Sequence, residues 1–108
     1  MIKPLGLLPE QIDFIERTLQ ELLKNKRVIN VSIFGSRVRG DYRQYSDLDL
    51  WIESTPELSR SEESTLRLRF EESDLPIKID IVTPESCHAD YRENIMSEKK
   101  LWFSSSPP

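Results

Sequence analysis

The stretch "IFGSRVRGDYRQYSDLDLWIE", Ile33–Glu53, leads an apolar run into a glycine–serine turn and a loop rich in arginine and tyrosine. It then re-enters an apolar run that carries two aspartates. The second half decides the fold. Side chains alternate across a strand, so Leu48, Leu50 and Ile52 share one face, while Asp47, Asp49 and Trp51 share the other. The first face predicts a strand that covers a core. The second puts two carboxylates side by side.

"IKIDIV", Ile77–Val82, repeats the pattern. Ile77, Ile79 and Ile81 share one face; Lys78, Asp80 and Val82 share the other. If the two strands are neighbours, Asp80 lies beside Asp47 and Asp49. Carboxylates packed together repel, and one should keep its proton unless a cation compensates. Mg2+ suits such a set, because it takes oxygen ligands and binds through one or two carboxylates plus substrate phosphates. Taken alone, a D-x-D in a strand reads as an exposed polar face. The Gly-Ser turn ahead of the pair, and a third aspartate set between isoleucines, favour the metal reading here.

Gly35 and Ser36 follow the first apolar run. A glycine lets backbone approach a phosphate closely, and a serine adds an N–H and a hydroxyl. Arg37, Arg39 and Arg43 offer forked donors for a triphosphate. The P-loop pattern and G-x-G-x-x-G are both absent from the sequence.

Around this stretch the spacing predicts a helix over Leu8–Asn25, with Pro9 in its first turn. It predicts strands over Val28–Phe34, Leu48–Ile52 and Ile77–Val82, and a short helix or turn over Ser36–Arg43 with Gly40 as its stop. "TLRLRF" alternates with period two, but Glu63/Arg67 and Leu66/Phe70 are i,i+4 pairs, so a helix is expected over Ser59–Ser73. A last helix is expected over Pro84–Lys100. The fold class is α/β (α+β): a small mixed sheet of three or more strands with helices mainly on one face.

At 108 residues the chain suits one domain, expected over residues 1–103, with residues 104–108 of "FSSSPP" as a disordered tail. The net charge of −4 argues against a nucleic acid as direct partner. The single cysteine, Cys87, rules out an internal disulfide. No signal peptide is read at the N-terminus, and no run reaches the ~18 apolar residues of a membrane span, so a cytoplasmic protein is expected. Cys87 and His88 are too few for a zinc site. Leu101, Trp102 and Phe103 form an apolar cluster that either faces a partner or folds onto the core. Trp51 either flanks a ligand or packs under a helix.

"GSRVRGDYRQYSDLDL" resembles the signature of the minimal nucleotidyltransferases of the polymerase-β superfamily: Gly-Ser, a glycine four residues on from the serine, then S-D-x-D-L. Gly35, Ser36, Gly40, Ser46, Asp47, Asp49 and Leu50 match it. Asp80 in "KIDIVT" matches the third family carboxylate. The resemblance implies a polymerase-β-like fold and transfer of a nucleoside monophosphate, usually AMP from ATP. Gly35, Ser36, Arg37, Arg39 and Ser46 would lie at the nucleotide. Asp47, Asp49 and Asp80 would hold two Mg2+ ions, with Asp80 also helping to deprotonate the attacking hydroxyl. Tyr42 and Tyr45, in the loop before the aspartate pair, either contact the nucleotide, accept AMP in self-modification or pack as ordinary loop residues, the last being favoured.

A chain of this size has no room for a second lobe that grips an acceptor. The resemblance therefore implies an antitoxin that attaches AMP to a tyrosine of a HEPN-type RNase toxin, in a hetero-oligomer with it. The alternatives are a non-catalytic module that neutralises a toxin by occlusion, and a nucleotidyltransferase acting on RNA or a small molecule.

Overall fold

The computed structural model describes residues 2–23 and 27–106. The elements run α1 (Pro9–Leu23), β1 (Val28–Phe34), α2 (Ser36–Arg39), β2 (Leu48–Thr55), α3 (Arg60–Glu71), β3 (Ile79–Val82), α4 (Ala89–Glu98) and β4 (Lys100–Ser105). The strands form one mixed sheet in the order β3-β2-β1-β4. β1 is antiparallel to β2 and β4, and β2 is parallel to β3. No described helix is long and apolar enough to cross a membrane.

The alternation in the sequence is the alternation in the core. Ile29, Val31, Ile33, Leu48, Leu50, Ile52, Ile79 and Ile81 are buried in one cluster with Ile15, Leu19 and Leu23 of α1 and Leu66 and Phe70 of α3. α1 starts at Pro9 as expected; the last two residues of the expected helix, 24 and 25, lie outside the described residues. The helical reading of "TLRLRF" holds. Leu66 and Phe70 are buried while Leu68 is exposed, which a period of two would not give. A capping box starts α3: the Ser59 hydroxyl accepts the Glu62 N–H at 3.1 Å, and the Glu62 carboxylate accepts the Ser59 N–H at 2.9 Å.

α2 is one turn, stopped as expected at Gly40, which adopts φ 100° with its N–H closing on the Ser36 carbonyl. Two expectations are corrected, the start of α4 and the C-terminal segment. α4 begins at Ala89, not Pro84. A turn occupies the intervening residues, and the His88 imidazole accepts the Asp90 N–H as the helix cap. α4 lies across the opposite sheet face from α1 and α3, with the Arg92 guanidinium 5.7 Å above the buried Trp51 ring. Trp51 thus packs under a helix.

The second correction is β4, which sequence spacing did not predict. Ser104 and Ser105, expected in the tail, pair with Asn30 and Ile29; residues 107 and 108 lie outside the described residues. In a regular strand Trp102 and Phe103 would point to opposite faces. Here Val31 pairs with Phe103 and Ser32 with Leu101, so Trp102 is the extra residue of a β-bulge. The bulge lets both aromatic rings enter the core, in an edge-to-face contact with centroids 5.2 Å apart. Leu101 remains exposed.

Candidate active site

The site begins where β1 ends. Gly35 sits at φ 82°, in the left-handed region that disfavours side chains. A Cβ at this position would also run into Oδ2 of Asp49. The backbone then turns at once into α2, whose Val38 and Arg39 N–H groups donate to the Gly35 carbonyl at 3.1 and 3.2 Å. Register does the rest. Phe34 is paired with Asp49 across β1/β2, and Asp49 with Asp80 across β2/β3. Three consecutive strand positions across the sheet therefore gather the Gly-Ser turn and two aspartates at one end.

These groups line a cleft of about 630 Å³, with Gly35, Ser36, Arg39, Asp49 and Asp80 on one side and α4 on the other. Asp49 is half-buried, and its carboxyl is pushed up to about 6. Burial is the largest cause, followed by the negative charges of Asp80, Asp47 and Glu98; Arg39 opposes them. Asp47 stands just before β2, exposed and outside the cleft lining, yet near enough for its charge to act on Asp49.

Arg37, expected at the nucleotide, is elsewhere. Its side chain is buried and donates to backbone carbonyls: Leu5 at 2.8 Å, Ser46 at 3.0 and 3.1 Å, and Gln44 at 3.2 Å. The Tyr42 ring lies 5.1 Å from its guanidinium carbon. A guanidinium presents five donors in a fixed fork, and here the fork ties the N-terminal segment to the loop that delivers Asp47. Ser46 belongs to the same loop: its hydroxyl accepts the Arg43 N–H at 2.7 Å, and it does not line the cleft. Arg39, two residues along the same turn, does face the cleft.

Glu98, the last residue of α4, was missed by sequence reasoning. Its carboxylate accepts the Gly35 N–H and takes Arg39 Nη1 at 3.0 Å on both oxygens. One signal was available: an acid in the last turn of a helix that has no base there opposes the helix dipole. His88 and Cys87 also line the cleft, but His88 is engaged as the α4 cap.

Among the described residues no three His, Cys, Asp or Glu side chains are placed to hold a metal by themselves. The donor set nevertheless fits Mg2+ bound jointly with a phosphate. It offers hard carboxylate oxygens from paired positions on adjacent strands, one of them half-buried among further negative charges.

A relative from Haemophilus influenzae named "Probable protein adenylyltransferase MntA" is 36% identical over 84% of this chain and 77% of its own length. A Methanocaldococcus jannaschii relative, also named as a protein adenylyltransferase, is 30% identical over 85% of this chain and 94% of its own. Among solved structures, a mutant toxin–antitoxin MntA–HpeT complex superposes with a TM-score of 0.63 at 17% identity, over 91% of this chain and 74% of that one. A toxin–antitoxin structure with AMP-PNP gives 0.62 at 21% identity, over 81% and 72%. The family profile described as polymerase beta, nucleotidyltransferase matches residues 17–108, a span that takes in the turn, all three aspartates and α4. With that match, and a relative at 36% identity over most of the chain, the chain belongs to the polymerase-β nucleotidyltransferase family.

Proposed function

We propose that this protein is an adenylyltransferase that moves AMP from ATP to a tyrosine hydroxyl of a HEPN-type toxin, and so acts as its antitoxin. The observation that carries the reading is the pairing of Asp49 with Asp80 beside the Gly35–Ser36 turn. The names of the relatives, protein adenylyltransferase, and the toxin–antitoxin setting of the structural neighbours support it.

The Gly35 and Ser36 backbone and the Arg39 guanidinium receive the polyphosphate. Asp47, Asp49 and Asp80 would hold Mg2+. Bound there, Mg2+ would supply charge neutralisation for the phosphates and the charge that develops during transfer. The acceptor oxygen forms a bond to the α-phosphorus, the bond to the bridging oxygen breaks, and pyrophosphate leaves. Asp80 accepts the proton of the hydroxyl. Positioning and electrostatics suffice for such a transfer; no covalent enzyme intermediate is required.

The test is incubation with labelled ATP, Mg2+ and a HEPN-type toxin, the product of the neighbouring reading frame being the first to try. Label should move to a tyrosine of the partner, and Asp49→Asn should abolish the transfer. Neutralisation that persists without labelling, and in the Asp47→Asn plus Asp49→Asn variant, would replace this reading with occlusion by binding alone.

A further inference from the structure

The wall that faces the aspartates ends in a residue of the same charge. Glu98 lines the cleft, and its side chain is 27% exposed. It occupies two donors at once, the Gly35 N–H and the Arg39 guanidinium. Its location is otherwise unfavourable. It stands at the C-terminal end of α4, where a negative charge meets the negative end of the helix, and it faces Asp49, another acid.

We propose that the Glu98 carboxylate is an internal stand-in for a phosphate group: it fills the phosphate position of the cleft and must withdraw for a nucleoside triphosphate to bind. The inference rests on the nucleotide-binding reading above and adds the residue that regulates entry. Carboxylate and phosphate oxygens accept the same charge-assisted hydrogen bonds from an N–H and a forked guanidinium, so the two compete for identical donors. Every factor of ten by which the Glu98-bound arrangement outweighs the open one weakens the apparent affinity about tenfold. A ligand without phosphates does not need those donors and is indifferent to Glu98.

The experiment compares wild type with Glu98→Ala and Glu98→Gln, the second keeping the shape of the side chain in case the first fails to fold. ATP binding is followed by calorimetry, in EDTA and in Mg2+; adenosine binding is followed by ligand-observed NMR. Circular dichroism verifies the fold. The expected result is ATP affinity higher by roughly threefold or more in both buffers, a gain on the scale of releasing one partly exposed ion pair, with adenosine unchanged. Equal gains for ATP and adenosine would overturn the inference, since they would mean a general loosening of the cleft. Unchanged ATP affinity, or affinity weakened only in Mg2+, would also overturn it, the latter by making Glu98 a metal ligand. In both cases the nucleotide-binding reading survives. If wild type and variants alike bind no ATP, that reading fails and this one falls with it.

Discussion

Gly35 and Asp49 occupy adjoining space with no room for a methyl group between them: a Cβ on residue 35 would overlap the Asp49 carboxylate. Gly35→Ala should therefore fail twice, through the positive φ and through displacement of the acid. An alanine forced to φ 82° and ψ −159°, a region essentially reserved for glycine, costs about 1–3 kcal/mol by itself. Urea unfolding should show a loss at least that large, and labelled-ATP transfer should fall to background even where the variant remains folded.

Asp49 lies in the fold with its carboxyl raised to about 6, against 3.8 in the unfolded chain. The folded state therefore binds the extra proton between those values. The stability associated with this group is fully present below about 3.8 and is lost as pH rises through about 6. Asp49→Asn should lack this pH dependence. At pH 7 it should melt higher than wild type while being inactive, and the gap should close towards pH 4. Added Mg2+ should raise the wild-type melting temperature at pH 7 and leave that of the variant unmoved.

Arg37 and Arg39 should separate cleanly on substitution. Arg37→Ala removes the donors to the Leu5, Gln44 and Ser46 carbonyls. Each buried group left unsatisfied costs about 1–3 kcal/mol, so a loss of roughly 2–4 kcal/mol in denaturant unfolding is expected. Arg37→Lys should not restore it, because an ammonium cannot reproduce the fork. Arg39→Ala, at an exposed position, should leave the melt close to wild type and weaken ATP binding in calorimetry.

The bulge in β4 makes a prediction about three adjacent residues. Phe103→Ala and Trp102→Ala should each cost about 3–5 kcal/mol, the usual price of a large aromatic removed from a core. Leu101→Ala, exposed between the bulge and α4, should cost little. Similar losses at all three positions would mean that Leu101 is buried in solution against something else.

What could be read in advance divides along a physical line. Asp49 and Asp80 share a face with their strand neighbours whatever surrounds them, so alternation was enough to suggest their meeting. Ser59 and Glu62 likewise carry the start of α3 in four residues. Arg37 and Arg39 stand two apart in one short motif, yet one is buried and the other faces the cleft. The partners of Arg37 are mainly backbone carbonyls, which any residue type can provide, so no pattern in the sequence marks them. "KLWFSS" hid β4 because a bulge breaks alternation at the point where it would have been recognised. Glu98 meets Gly35 across 63 positions, beyond the reach of any local pattern.

The strand order has one more effect. β2 is clasped by β1 and β3, whereas β3 has a neighbour on a single flank among the described residues. Asp49 is thus riveted to the middle of the sheet, and Asp80 rides on its margin. In the proposed transfer, the acid that fixes charge would gain from an immovable seat, and the one that meets an incoming hydroxyl would gain from standing on the side where another molecule can draw alongside.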